Sequence, residues 1–550
     1  MKKTKRILMA LLSFCLMGGM AVAQTEFEDA QGIVYSIADG KAIVKDGQKA
    51  SGEVVIPAEI KGAVVIEIVK SAFSDNVNIS ALTLPDNITI GNYAFLGCES
   101  LIKVTVGDIS SIGRSAFGYT NVKTLIFADG VKTISNIATN FASTLESVEI
   151  PSSAIIIGNN AFNGCSKLKT LNLKNVYKIG DSAFSASGLT SIDLSNVDVI
   201  GNNAFESCLS LEYVDLKKVS NVGTSVFKGC GDGLSGKGLK SVTWSTNCET
   251  IPAYAFANCQ ILSEVKNIDV VTTIGSYAFY SCTSLSGSLT LPKKLQSVST
   301  YAFKGSELEL VCFQSNPTLS SNSLPSGCQK HLLLSDGERI NLVSGASNTF
   351  NKVIYTRNNL GTYGAMYLPF TPKSDNNHRF YTFGNVEGSV ISFERAETPA
   401  ANVPYLYQGS NEIESDGAVT VTDQFYAQNL NSTSCGNWEA VGSYGDESST
   451  DGYYHVTSDG SYYGISGGAF VRYVKDTDIK VKPYRVYWHQ SAAQGASFML
   501  RLPDGSTTNI ELNENDGVDA IAKYYDLMGR RVLEPTKGNI YIVNGNKIVY

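Results

Sequence analysis

Histidine is nearly missing from this chain: His331, His378, His455 and His489 are the only four in 550 residues. His455 and His489 lack metal-ligand spacing, and no cysteine of catalytic type has a histidine near it in sequence. That scarcity works against metal centres and imidazole acid–base chemistry. A Gly-x-Ser-x-Gly elbow is also absent. Charged residues make up 17%, below the usual quarter. Beyond the N-terminus no run of 18 apolar residues occurs, so the mature chain is not expected to span a membrane. These absences point to a non-enzymatic protein that needs no cofactor.

The N-terminus supplies an address. Lys2, Lys3, Lys5 and Arg6 precede an apolar run from Ile7 to about Val22, closed by Ala21-Val22-Ala23. A positive head, an apolar middle and a small-x-small end describe a secretory signal peptide over residues 1–23. Cys15 does not fit a lipoprotein site, because Phe14 before it is too bulky. Cleavage would remove four positive charges and no acid, taking the formal charge from −7 to about −11. An acidic surface repels phosphate backbones, so nucleic acid is not an expected partner.

What the chain has in abundance is repetition. The stretch Ile157-Gly-Asn-Asn-Ala-Phe162-Asn-Gly-Cys165 recurs, and its phenylalanine has counterparts at Phe73, Phe95, Phe117, Phe141, Phe184, Phe205, Phe227, Phe256, Phe279 and Phe303. Successive gaps run from 21 to 29 residues. Each unit also holds a strand of the kind Leu168-x-x-Leu171-x-Leu173. That period and pattern define a mainly β, leucine-rich-repeat solenoid. Period-two alternation sends the strand leucines inward, and the phenylalanine plugs the interior from the opposite wall. The glycines at 158, 180, 201, 223 and 275 are expected to let the chain turn tightly. About five apolar side chains per unit, at about 1.5–3 kcal/mol each, do not offset the cost of ordering a whole unit, so stacking is obligatory.

Cys98, Cys165, Cys208, Cys230, Cys259 and Cys282 all fall three residues after a repeat phenylalanine. One recurring position implies one recurring environment, suited to a small buried thiol. Neighbours such as Cys208/Cys230 and Cys259/Cys282 could in principle oxidise, but Cys312 with Cys328, outside the register, is the best-placed pair.

The unit Ile-Gly-x-x-Ala-Phe-x-x-Cys-x-x-Leu-x-x-Val-x-Leu resembles the BspA-type (treponemal-type) leucine-rich repeat. The resemblance implies a curved solenoid on an exported bacterial surface protein, of a kind credited with adhesion to host matrix proteins or other cells.

In chain order, residues 24–70 are expected to form a β cap that covers the apolar end of the first coil. The solenoid is expected over 71–345, with degenerate last rungs, and an antiparallel β-sandwich-like module over 350–515. A β tail over 516–550 resembles the sorting domain of the type IX secretion system, through Gly529-Arg530 and Gly538-x-Ile540-Tyr541-Ile542-Val543. It departs from that pattern by ending on Tyr550 and by placing Asn539 after Gly538.

Solvent-facing strand positions form two rows on the expected concave sheet. Within them Glu149, Thr170, Asn172, Asp193, Tyr213 and Asp215 make a polar, locally acidic face for a protein partner, such as host matrix, or a glycan. Ser and Thr also simply suit an exposed strand. Asp193 and Asp215 could sit about 5 Å apart, a glycosidase-like spacing, but solvated carboxylates are the simpler reading. The run Gly231-Asp-Gly-Leu-Ser-Gly-Lys-Gly238 satisfies Gly-x-Gly-x-x-Gly, yet no βαβ unit flanks it, so it reads as a loop insertion. An alternative to protein binding is glycan stacking on aromatics of the 350–515 module: Trp438, Tyr453, Tyr454, Tyr462, Tyr463 and Trp488.

Overall fold

The computed structural model describes residues 25–549 apart from 359–362, 388–389, 427–429, 436–437, 447, 451–452, 459–460, 467–468, 474–477, 492–498, 502–506, 510, 514–523, 526–530, 533–539 and 544–545. The expected signal peptide, residues 1–23, lies outside the described residues. Described secondary structure is almost all strand, with one short 3-10 helix, Asn136–Phe141. Parallel coils recur from Lys41–Asp46 to Lys352–Thr356, and antiparallel sheets follow. Coil stacking therefore begins inside the segment expected as the cap and runs past residue 345. The chain divides into two compact units: the first holds residues 1–287, 298–308 and 320–326, and the second the remainder.

In the first unit, Thr25–Glu28 pairs antiparallel with Val34–Ala38, which pairs antiparallel with Lys41–Asp46. Lys41–Asp46 then pairs in parallel with Ala63–Ile68, the first coil-to-coil ladder on that wall. A second wall aligns Gly52–Val55, Ile79–Leu84, Lys103–Val106, Thr124–Phe127 and Ser147–Glu149 in parallel. It resumes at Tyr213–Asp215, Ser241–Thr243 and Glu264–Lys266. Thr133–Ile134, Ile156–Ile157, Lys178–Ile179, Val199–Ile200 and Asn221–Val222 make another five-stranded parallel ladder.

The phenylalanines stack inside. Phe73–Phe95–Phe117 and Phe162–Phe184–Phe205–Phe227–Phe256–Phe279–Phe303 have ring centroids 4.8–5.7 Å apart, all near-parallel. The strand spacing of a β-ladder sets that distance. Phe141 meets Phe117 edge-on, at 61°. Its coil lacks the Ile-Gly-x-x-Ala-Phe signature and forms the 3-10 turn instead, with Ile137 filling the core.

Three residues after each ring, the thiol finds a partner. Sγ of Cys98, Cys208, Cys230, Cys259 and Cys282 lies 2.9–3.1 Å from the carbonyl of the phenylalanine one coil earlier. The same position is Thr120, Ser187 and Ser306 elsewhere, again as a buried donor or partner. Each of these carbonyls also accepts a backbone N–H three residues on, so the weak S–H donor fills its second lone pair and ties one coil to the next. Burial pushes the Cys98 and Cys165 thiols up to about 12.

The glycines serve a different purpose from the expected one. Gly158, Gly180, Gly201, Gly223 and Gly275 have no positive φ. Instead their backbones lie against the preceding coil: a Cβ at Gly223 would sit 2.4 Å from Gly201, and one at Gly275 2.5 Å from Ala253 N. Each also donates its N–H to an isoleucine carbonyl one coil back, at 2.8–2.9 Å. Close approach, not turning, requires them. The left-handed turns fall elsewhere, two residues before the phenylalanine, at Asn160, Ser182, Asn203, Ser225, Tyr254, Tyr277 and Tyr301, with φ of 52–59°.

In the second unit, Leu310–Phe313, Gln329–Leu332 and Lys352–Thr356 continue parallel pairing. Lys352–Thr356 then pairs antiparallel with Glu412–Glu414, and Asn348–Phe350 with Val419–Val421. These antiparallel partners cover edges that stacking would otherwise leave open. Cys312 and Cys328 are free thiols, contrary to the expected pair. The register sets Cys312 opposite His331, three residues beyond Cys328. At about 3.3 Å per residue that is roughly 10 Å, past disulfide reach. Two six-stranded sheets follow, each antiparallel apart from one parallel pair: Val390–Arg395 with Met499–Arg501, and Ala469–Tyr473 with Glu511–Asn513. Tyr367, Tyr407, Tyr444, Tyr484, Trp438 and Trp488 are buried. Tyr426 and Tyr484 share a hydroxyl–hydroxyl bond of 2.7 Å. In the tail, Tyr524–Tyr525 pairs with both Arg531–Val532 and Ile540–Val543, so it is central and not the first strand of a simple meander.

Candidate functional site

The two solvent-facing rows exist where the second wall is laddered. Thr124 faces Lys103 and Ser147, and Ile126 faces Thr105 and Glu149. Tyr213 faces Ser241, and Asp215 faces Thr243. Glu149, Thr170, Asn172, Asp193, Tyr213 and Asp215 are all exposed. Between Ser147–Glu149 and Tyr213–Asp215 the ladder is interrupted, and the coils at 168–173 and 189–194 carry no described strand. At that interruption lies an open depression of about 400 Å³, lined by Glu146, Ser147, Val148, Thr170, Leu171 and Asn172. Thr170 and Asn172 are thus brought together with Glu146, which the sequence did not single out. Lys123 reaches Glu146 at 3.4 Å from the rim.

The acidic row has a local role that spacing alone did not reveal. Asn172 Oδ1 accepts from Lys174 N–H at 3.0 Å, Asp193 Oδ1 from Ser195 N–H at 2.9 Å, and Asp215 Oδ1 from Lys217 N–H at 2.9 Å. These are Asx turns that bend the chain where each strand position ends. The Ser195 N–H and hydroxyl hold the Asp193 carboxyl below its usual range. Asn or Asp two residues before a Lys or Ser, repeated coil after coil, was the available signal. Tyr213 makes no such turn and is 61% exposed, with Lys240 Nζ 6.0 Å from its ring centroid. Lys240 in turn pairs with Glu212 at 3.1 Å.

The aromatic candidates of the 350–515 module separate by burial. Trp438, Tyr463 and Trp488 are core residues, 1–2% exposed, and are not surface platforms. Tyr454 and Tyr462 are half-buried and pack on Tyr487, while Tyr453 is half-buried with Lys482 near its ring. Pairing both faces of the strands against other sheets consumed them. The glycine-rich run 231–238 is a loop, closed at its base by Leu239 N–H to the Cys230 carbonyl at 3.0 Å, with Leu234 93% exposed.

One constellation has the distances of a hydrolytic triad. His378 Nδ1 lies 2.9 Å from Asp375 Oδ1, and Nε2 lies 2.9 Å from Ser410 Oγ. Nε2 is also 3.1 Å from the Glu412 carbonyl, and Ser410 Oγ donates to that same carbonyl at 2.8 Å. The Ser410 proton is thus committed to a backbone carbonyl and not to the imidazole. A base facing a nucleophile needs the opposite arrangement. Asp375, His378 and Ser410 therefore clamp two loops together. His455 pairs with Asp478 at 3.0 Å, and His489 packs on Tyr462. Among the described residues no group of three potential metal ligands is found, and no helix is long and apolar enough to cross a membrane.

The family model for the BspA type leucine rich repeat region matches in six copies, over residues 59–142, 138–235 and 233–332. The chain belongs, through residues 59–332, to the BspA-type leucine-rich repeat family. Solved structures similar to it include a leucine-rich repeat protein from Bacteroides ovatus, 24% identical over 56% of this chain and 94% of that one, with a TM-score of 0.37. A leucine rich cell surface protein from Faecalibacterium prausnitzii is 20% identical over 52% of this chain and 95% of its own, with a TM-score of 0.29. The pneumococcal vaccine antigen PcpA is 16% identical over 54% and 95%, with a TM-score of 0.22. No curated protein matches the chain.

Proposed function

We propose that this is a non-enzymatic, exported or cell-surface binding protein that presents the interrupted wall of its solenoid to a protein partner outside the cell. Membership of a repeat family found on cell surfaces is consistent with a protein-interaction role there. The observation that carries the reading is the depression at the ladder interruption, where Glu146, Thr170 and Asn172 line one open, polar surface. Exposed Tyr213 extends it, since amphipathic tyrosines serve as interface anchors. The N-terminal signal and the C-terminal tail supply export and surface attachment in this reading, the tail by the type IX route. A pull-down from extracellular-matrix and bacterial-surface extracts tests it. Thr170→Arg and Tyr213→Ala are the deciding variants, because neither side chain holds a turn as Asp193 and Asp215 do. Capture that both variants leave unchanged would remove this face as the site.

A further inference from the structure

Two residues before the core phenylalanine, the coils turn through left-handed backbone, where Asn or Ser serves before position 254 except at Tyr93, which lies between Ser71 and Ser115 in the neighbouring coils. Tyr254, Tyr277 and Tyr301 then occupy it in three successive coils, with φ of 58–59°. A bulky residue at positive φ is uncommon, and three in register are not explained by the turn. The rings are in contact: Tyr254 and Tyr277 stack 4.8 Å and 4° apart, and Tyr301 is tilted against Tyr277 at 5.0 Å and 50°. Tyr280 meets Tyr277 edge-on at 5.5 Å. Lys304 Nζ, 4.5 Å from the Tyr301 centroid, closes one end.

The other end is open. Ser225 N–H donates to the Ala253 carbonyl and Tyr254 N–H to the Ser276 carbonyl, so Ser225 is the residue in register with Tyr254 one coil earlier. A serine is too short to cover a phenol ring, and Tyr254 is 39% exposed. Beside Ser225 lie the Lys228–Glu206 ion pair at 3.0 Å and Asn203, which donates to Glu206 at 2.9 Å. A flat aromatic face thus stands over a shelf of hydroxyl, amide and mutually neutralised charge.

We propose that the Tyr254 end of this ladder is a saccharide-binding site, taking a neutral pyranose of an extracellular polysaccharide. A pyranose has an apolar C–H face to lay on the ring and a rim of hydroxyls that both donate and accept. Ser225, Asn203 and the Lys228–Glu206 pair offer both roles, and their cancelled charge favours an uncharged sugar. The site uses none of the residues of the protein-binding face, so the two readings stand or fall separately.

The test is calorimetric titration of the full mature chain with cellohexaose, xylohexaose, mannohexaose and maltohexaose. At least one is expected to bind, and Tyr254→Ser should weaken it about tenfold, the scale of one lost aromatic contact. Tyr254→Phe keeps the ring and should stay within about threefold of the native protein. Tyr119→Ser, at an 85% exposed tyrosine in another coil, should change nothing. Melting curves check that each variant is folded, and Tyr277→Ser supplies a second ladder variant if Tyr254→Ser is not. The proposal is overturned if no hexasaccharide binds, if binding survives the folded serine variant, or if the phenylalanine variant loses as much as the serine one. Capture of a protein that depends on Tyr254 while every sugar stays silent would equally overturn it.

Discussion

The solenoid coils and the sheets of residues 364–513 both bury aromatic rings and solve the problem of buried polar atoms in opposite ways. In the coils one solution is copied: a phenylalanine on a phenylalanine, a thiol on a carbonyl, a glycine against the coil before it. In the sheets each solution is particular. Tyr426 bonds Tyr484, Tyr444 bonds Asn402, and Tyr407 bonds the Ser410 carbonyl. A copied interior distributes its stability over many equal contacts between neighbours, whereas a particular one concentrates it in a few networks. The tyrosine ladder and the ladder interruption are departures from copying, and those departures are where the candidate binding surfaces lie.

The largest expected effect attacks the copied interior. Phe184→Ala leaves a hole between Phe162 and Phe205 and should cost about 3–5 kcal/mol, read as a lowered denaturation midpoint of the solenoid transition. If the loss is below about 1 kcal/mol, the coils do not share one interior. Next comes Gly180→Ala, whose Cβ would lie 2.7 Å from Asn159 N. It should destabilise by about 1–3 kcal/mol, more than Gly164→Asn, where φ is +76° but the space is open enough for a residue that tolerates that region. Equal losses at the two sites would mean that close approach is not what requires Gly180.

On the particular side, Tyr484→Phe deletes one hydroxyl of a buried pair and should cost about 1–2 kcal/mol in the second unit while leaving the coils untouched. A pH series separates the regions further. Burial raises the Cys98 and Cys165 thiols to about 12 against an ordinary 9.0. A raised folded value stabilises while the unfolded thiol is still protonated. That contribution is therefore complete below about pH 9 and falls away as pH climbs towards 12. Thiol alkylation at pH 8 should accordingly be slow until denaturant opens the coils, and rapid labelling of Cys98 or Cys165 in the folded protein would contradict their placement. The smallest effect is expected at Asp193→Ala, a few tenths of a kcal/mol through its exposed turn.

Much of the solenoid was legible because its signal is periodic. A phenylalanine every 21–29 residues and a cysteine at a constant offset mean a constant environment, and the stacked rings and buried thiols follow. The same periodicity misdirected the glycines, since a recurring glycine reports that Cβ is forbidden without saying whether dihedral or distance forbids it. Asp193 and Asp215 read as a docking face because alternation reports exposure but not hydrogen bonding. Trp438 and Trp488 were ambiguous for a different reason: nothing local tells a strand whether its second face will be covered. Cys312 and Cys328 looked paired by elimination, and a register offset of three residues parted them.

By itself, the sequence determined that coils would form and stack, because a unit too poor in apolar surface to stand alone, repeated eleven times, has no other way to leave water. Which glycine touches which backbone, where the second wall breaks, and that Tyr254 is left with an uncovered ring over Ser225 were decided only when neighbouring coils came into register. Those properties belong to pairs of residues 20 to 30 positions apart, and neither member carries them alone.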